Sequence, residues 1–270
     1  MTSPPFTPIP FTQVDAFAAA PFTGNPAAVM PLEAWLDDAV LAAIAQENNL
    51  SETGFTVKLP EGAGADYALR WFTPAVEVAL CGHATLAAGH VLMPADAQAI
   101  RFRTRQAGDL VVTRDGAGYA LDLPAWPMAP SDRTDIAPLL GGGAAPIEIM
   151  WREGGYALLR YPDEASVRAL TPDFPALAKL GDVLTIATAP GEATDVVSRV
   201  FAPGAGIDED PVTGSAHCLL TPYWAERLGR ETFTAYQASP RGGHVGCRLE
   251  GARAVLTGQC RTVIEGRFLL

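Results

Sequence analysis

A motif that occurs twice contains the residue types best suited to chemistry. Phe72-Thr73-Pro74 leads to Cys81-Gly82-His83-Ala84-Thr85, and Phe201-Ala202-Pro203 leads to Asp210-Pro211-Val212-Thr213-Gly214-Ser215-Ala216. Each copy runs from an extended segment to a glycine and then into a small-residue apolar stretch that predicts a helix. A helix N-terminus presents unpaired backbone N–H groups and a positive dipole end. Both copies therefore predict a cradle for a carboxylate or another anion.

The residues beside the two glycines favour proton transfer over nucleophilic or cofactor chemistry. His83 follows the first glycine, and Asp210 and Ser215 flank the second. At a helix start, Ser215 is more simply a capping or anion-binding residue than a nucleophile. The sequence has no G-x-S-x-G elbow, no P-loop and no G-x-G-x-x-G motif between a strand and a helix. We therefore predict proton transfer without a cofactor.

The four cysteines are predicted to be free thiols without a metal. Their spacings match neither a C-x-x-C redox pair nor a zinc ribbon. Cys81 with His83, and His217 with Cys218, suggest a metal, but the local ligand pairs of a structural zinc site are absent around the other candidates, which favours buried thiols and ordinary polar histidines. The cysteines are Cys81, Cys218, Cys247 and Cys260.

Composition excludes several classes of partner. The 270 residues are 49% hydrophobic and 18% charged, as expected of a well-packed enzyme, and the net charge is −11. Without clustered Lys and Arg, no nucleic-acid partner is expected. Met1 to Pro10 lacks the features of a secretory signal, and no segment has the run of about 20 apolar residues that spans a membrane. We predict a cytoplasmic protein.

The elements that position these residues recur in the two halves, on either side of a proline-rich linker, Pro124 to Pro130. In the first half we predict helices at Pro31 to Asn48, ending in an Asn48-Asn49 cap, and Ala84 to Met93, and strands at Gln13 to Phe17, Ala27 to Met30, Gly54 to Leu59, Tyr67 to Phe72, Ile100 to Thr104, Leu110 to Thr113 and Tyr119 to Leu123. In the second half we predict helices at Phe174 to Leu180 and Gly214 to Leu228, and strands at Ile147 to Trp151, Tyr156 to Tyr161, Val183 to Thr188, Val196 to Phe201, Thr234 to Gln237, Gly243 to Leu249, Arg253 to Gln259 and Cys260 to Phe268. The last strand is expected to cross back to the first lobe. The result is two similar α+β lobes, residues 1–124 with 260–270 and residues 125–259.

Four segments together resemble the signatures of the phenazine-biosynthesis (PhzF-like) isomerase family. They are Phe22-Thr23-Gly24-Asn25-Pro26, Asn49-Leu50-Ser51-Glu52-Thr53, Cys81-Gly82-His83-Ala84-Thr85-Leu86 and Asp208-Glu209-Asp210-Pro211-Val212-Thr213-Gly214-Ser215-Ala216. The resemblance implies the diaminopimelate epimerase-like fold, in which two pseudo-symmetric lobes each wrap a curled, mostly antiparallel sheet around a central helix. It also implies a site in the cleft between the lobes, a homodimer and no cofactor.

The resemblance assigns roles residue by residue. Glu52 matches the family's general acid/base, and His83 and Asp210 match its polar partners. In the founding activity the glutamate moves a proton along a hydroxylated dihydro-anthranilate, so we expect a small carboxylate-bearing substrate. The residues expected to bind the substrate carboxylate are Ser51, Gly82, Gly214 and Ser215. Asn25 is a further candidate that is equally a turn former.

Two alternatives stay open. Epimerases of this fold use two cysteines, and Cys81 occupies the place of the first, immediately before Gly82. Thr213 stands at the repeat-equivalent position, and Cys218 lies about one helical turn beyond Gly214, so the sequence disfavours a two-thiol racemase. A protein that binds small carboxylates without turning them over is the other alternative.

Overall fold

The chain folds into two units, which a computed structural model describes for residues 8–270. Residues 1–7, most of the segment in which we predict no secretory signal, lie outside the described residues. Unit 1 comprises the chain up to Phe22, Pro26–Leu121 and Gln259–Leu270, and unit 2 comprises Thr23–Asn25 and Asp122–Gly258. None of the helices among residues 8–270 is both long and apolar enough to cross a membrane.

Residues 8–124, the described part of the first half, are rich in strands and contain two α-helices. The helices are α1, Asp38–Asn48, and α2, Gly82–Leu92. The strands are β1 (Pro8–Ala16), β2 (Asn25–Leu32), β3 (Glu52–Lys58), β4 (Tyr67–Phe72), β5 (Glu77–Val78), β6 (Ala99–Thr104), β7 (Asp109–Asp115) and β8 (Gly118–Pro124).

The second half is also rich in strands and contains three α-helices. The helices are α3, Glu164–Arg168, α4, Phe174–Ala178, and α5, Gly214–Leu228. The strands are β9 (Ala129–Pro130), β10 (Glu148–Arg152), β11 (Tyr156–Arg160), β12 (Leu184–Pro190), β13 (Val196–Phe201), β14 (Thr232–Gln237), β15 (Gly243–Glu250), β16 (Arg253–Gly258) and β17 (Cys260–Leu269). The last of these, β17, pairs antiparallel with β1 in unit 1.

One order of strand pairing occurs in both units. In unit 1, β2 and β3 are parallel, β3 and β4 antiparallel, β4 and β6 parallel, and β6 and β7 antiparallel. In unit 2, β11 to β15 repeat the same alternation of parallel and antiparallel pairs. Parallel neighbours need a crossover connection. That crossover is made by α2 between β4 and β6, and by α5 between β13 and β14. The predicted α+β class and the internal duplication are thus confirmed.

The crossover helices are the central helices of their units. Residues 82–89 of α2 are all buried, and the helix contacts β1, β3 and β7. At Gly89 an added Cβ would lie 2.6 Å from Val112 Cγ1 on β7, so glycine permits the close approach of helix and strand. Ten of the residues of α5 are buried, and the helix contacts β15 and β16.

Most predicted elements are present, and the N-terminal part of the first predicted helix is wrong. Strand β2 continues to Leu32, which pairs with Val57 of β3, and α1 begins only at Asp38. Leu32, Trp35 and Leu36 suit helical spacing, but parallel pairing with β3 satisfies the backbone of Pro31 and Leu32 instead. The predicted cap is confirmed, since Asn49 ends α1 in the left-handed conformation. The predicted helix at Phe174 to Leu180 is a single short turn, Phe174–Ala178.

Candidate active site

Glu52, His83 and Cys81 form a buried polar cluster in unit 1. Glu52 is the first residue of β3, Cys81 is the N-cap of α2, and His83 is the second residue of that helix. Glu52 Oε2 lies 3.0 Å from His83 Nε2, and Cys81 Sγ lies 3.5 Å from His83 Nδ1. The three residues are 9%, 3% and 6% exposed, respectively. The imidazole is thus placed between a carboxylate and a thiol.

The charges of this cluster are strongly coupled. Burial alone would lower the pKa of His83, but the effects of Cys81 and then of Glu52 outweigh it, and the pKa is raised well above the ordinary value. Burial, reinforced by the charge of Glu52, raises the pKa of the Cys81 thiol. Cys81 is therefore a neutral thiol at neutral pH.

The oxygen of Glu52 that faces His83 is buried but makes no aligned hydrogen bond among residues 8–270. Its 3.0 Å approach to Nε2 is an ion-pair distance, but the two groups are not aligned as a hydrogen bond. Among residues 8–270, no donor is aligned with Glu52 Oε2, which is fully buried. Buried carboxylate oxygens normally accept hydrogen bonds, so this oxygen has unused capacity to accept one.

Short-range contacts fix the backbone that carries these groups. Thr85 Oγ1 donates to the Cys81 carbonyl at 2.6 Å, which ties the start of α2 to its own second turn. Asn48 Nδ2 donates to Thr53 Oγ1 at 3.1 Å, which ties the end of α1 to the start of β3. Ser51 lies immediately before β3 and is half-buried, and Gly82 is the first, buried residue of α2. Gly82 therefore presents its backbone N–H at a helix N-terminus.

A second polar network surrounds Asp210 in unit 2. Asn25 Nδ2 donates to Asp210 Oδ1 at 2.7 Å and to the Val212 carbonyl at 2.9 Å. Thr213 Oγ1 donates to Asp210 Oδ2 at 2.6 Å. Asn25 is completely buried, so the structure places it as a support for Asp210. This contact joins residues 185 positions apart in the sequence.

Gln237 is the residue of this network that the sequence did not indicate. Its Nε2 donates to the Asp210 carbonyl at 2.6 Å and to Thr213 Oγ1 at 3.1 Å, and its Oε1 accepts from the Thr213 N–H at 2.9 Å. Gln237 ends β14 and is fully buried. No motif marks it, because its partners precede it by 24 and 27 residues and meet it only through the fold.

Helix α5 begins directly after this network. Thr213 is the N-cap, and Gly214 and Ser215 are the first two residues of the helix. Ser215 is half-buried, and burial raises the pKa of nearby Tyr156 against an opposing effect of Ser215. Gly214 and Ser215 thus lie where the sequence predicts anion-binding N–H groups.

Comparison with known proteins identifies the family. A family model described as phenazine biosynthesis-like protein, PhzC-PhzF, matches residues 14–266. The chain belongs to this family. A Pseudomonas aeruginosa protein named an uncharacterized isomerase is 47% identical over 264 residues, 96% of this chain and 98% of that protein.

Solved structures support the same family and fold. The crystal structure of a PhzF-family protein from Enterococcus faecalis has a TM-score of 0.89 and 43% identity, covering 98% of this chain and 100% of that one. A hydroxyproline epimerase from Agrobacterium vitis has a TM-score of 0.60 and 13% identity, covering 97% of this chain and 93% of that one. At that identity the likeness shows the fold alone.

The four cysteines of this PhzC-PhzF family member are free and buried, as predicted. Cys218 donates to the Gly214 carbonyl of its own helix at 3.5 Å, and burial raises its pKa to about 12. A thiol in that state is a poor base or nucleophile. This finding weighs against a racemase that pairs Cys218 with Cys81.

Proposed function

We propose that this protein is a cofactor-independent isomerase that moves a proton on a small carboxylate-bearing substrate, with Glu52 as general acid/base. The observation that carries the proposal is the buried Glu52 Oε2, 3.0 Å from His83 Nε2 and without an aligned donor among residues 8–270. Family membership supports the reaction class, since a 47% identical relative is named an isomerase.

The proposed reaction has two proton transfers. Glu52 takes a proton from a carbon of the substrate, and the C–H electron pair becomes part of a conjugated anion. The protonated carboxyl group then returns the proton to a different carbon, so that the substrate is isomerised with no net gain or loss of atoms. The raised pKa of His83 keeps a positive charge beside the developing anion, which lowers the barrier.

Donors at helix N-termini suit the carboxylate of the proposed substrate. They are the N–H groups of Gly82, Gly214 and Ser215. The hydroxyl group of Ser51, which lies just before β3, is a further proposed donor. Charge-assisted hydrogen bonds fix the orientation of a bound carboxylate, and orientation accounts for much of the rate acceleration. Asp210, held by Asn25 and Thr213, is proposed as a second polar partner of the substrate. We also propose that the protein is a homodimer and that it is located in the cytoplasm.

Deuterium incorporation from heavy water tests the proposal. A panel of amino acids and of cyclic dienoic and hydroxy acids is incubated with the protein, and NMR detects carbon positions that exchange. We expect exchange with the wild type and none with Glu52→Gln, which keeps the size of the side chain but cannot accept the proton. Glu164→Gln is the matched control, because Glu164 is equally buried but pairs with Arg168 in unit 2. Wild-type exchange in a folded Glu52→Gln variant would show that Glu52 is not the acid/base.

A further inference from the structure

Cys81 and His83 are spaced as two ligands of one metal ion. Their Sγ and Nδ1 atoms are 3.5 Å apart. A tetrahedral zinc ion, with a Zn–S bond of about 2.3 Å and a Zn–N bond of about 2.0–2.1 Å, holds its sulfur and nitrogen ligands about 3.5 Å apart. The separation of these two atoms, which also suits a hydrogen bond, therefore matches that of a metal-bound pair.

Glu52 completes the arrangement from the other side of the ring. Its Oε2 is 3.0 Å from Nε2, the nitrogen that does not face the thiol. Histidine ligands of metals typically direct the second ring N–H to a carboxylate. Glu52 is within reach of that role, although its Oε2 is not aligned with Nε2 as a hydrogen bond in the metal-free protein. Ligand atoms of all three residues also lie within 4.8 Å of one another, and among residues 8–270 this is the one such group of three.

We propose that this cluster is a reversible binding site for a soft divalent cation, Zn²⁺ or Cd²⁺, held by Cys81 Sγ and His83 Nδ1 and supported by Glu52. On binding, the thiol proton and any proton on Nδ1 pass to solvent, and the ion takes a thiolate and a neutral imidazole. Sulfur and nitrogen donors select Zn²⁺ and Cd²⁺ over Mg²⁺ and Ca²⁺, which prefer oxygen. The sequence alone shows only the local pair, because Glu52 joins it through the fold.

The binding does not depend on the proposed function. It is measured on the protein without substrate. Only its consequence rests on that function: an ion at this site occupies His83 and Glu52, so it inhibits the proposed proton transfer.

Titration with Cd²⁺ tests the site through the ultraviolet sulfur-to-cadmium charge-transfer band. We expect one equivalent to saturate the band in the wild type, Zn²⁺ to compete for the site and Mg²⁺ to have no effect. Cys81→Ser should abolish the band. Cys260→Ser is the matched control, because Cys260 is also a buried thiol of unit 1 but is not part of the three-donor group, and it should bind like the wild type. Glu52→Gln should weaken the affinity about 10–100-fold, as loss of a carboxylate behind a histidine ligand does.

Two results would overturn the proposal. One is a wild-type protein that shows no charge-transfer band at micromolar Cd²⁺, and the other is an unchanged band in Cys81→Ser. Should Cys81→Ser fail to fold by circular dichroism, cadmium-113 NMR of the wild type decides instead. A shift typical of a single sulfur ligand, with a perturbed His83 ring nitrogen, supports the site, and a shift typical of several sulfur ligands refutes it.

Discussion

His217 is expected to make the protein sensitive to mild acid. It lies in α5 and is fully buried, and its Nδ1 is 2.8 Å from the Thr213 carbonyl. A carbonyl only accepts, so Nδ1 carries the proton of a neutral imidazole. Burial lowers the pKa of His217 to about 4, against the slight opposing effect of the bond to Thr213.

The sign and size of the effect follow from proton linkage. In the unfolded chain the pKa of this histidine is 6.5, so between pH 6.5 and about 4 the unfolded state binds more protons than the folded state. The free energy of unfolding therefore falls as the pH falls through this window. The whole shift corresponds to about 3 kcal/mol, of which about 2 kcal/mol is lost by pH 5.

Urea denaturation of His217→Asn at pH 7 and pH 5 tests this expectation. Asparagine retains an N–H donor for the Thr213 carbonyl but does not titrate. We expect the wild type to lose about 2 kcal/mol more between the two pH values than the variant. The contribution of His83 is common to both proteins and cancels. His244→Asn, at an exposed histidine, should follow the wild type. Equal losses in wild type and His217→Asn would refute the reasoning.

Three further predictions concern packing, polar support and the thiol. Gly89→Ala places a Cβ 2.6 Å from Val112 Cγ1 and should lower the free energy of unfolding, measured by urea denaturation, by about 1–3 kcal/mol. Adding Val112→Ala to the same chain should restore part of the loss. If the effects of the two substitutions are simply additive, the packing argument is contradicted. Gln237→Leu leaves the buried Thr213 N–H without its partner and should lower the free energy of unfolding by about 1–3 kcal/mol. An unchanged melting temperature would show that the hydrogen bonds of Gln237 do not stabilise this network. Cys81→Ala should keep deuterium exchange within about tenfold of the wild type, a factor worth about 1.4 kcal/mol, because burial holds its thiol neutral; complete loss of exchange in a folded variant would point to thiol chemistry instead.

Local signals determined much of the fold from the sequence. The glycine turns and small-residue runs predicted both crossover helices, and α5 has the predicted bounds, Gly214–Leu228. Asn49 was recognised as a left-handed cap because few other residues adopt that conformation readily. The duplicated motif also predicted a helix start at each glycine, Gly82 and Gly214. These features depend on a few neighbouring residues and their backbone preferences, so the order of residue types is enough to reveal them.

The tertiary structure alone decided which distant side chains meet. Glu52 and His83 are 3.0 Å apart because β3 lies beside α2, and spacing along the chain gives no sign of that contact. The same holds for Asn25 with Asp210, and for Gln237 with Thr213. Local sequence patterns also do not predict where α1 begins, because pairing with β3 places Leu32 in a strand. Strand register and buried hydrogen bonds depend on the packing of whole elements, whose energies outweigh the propensities of single residues.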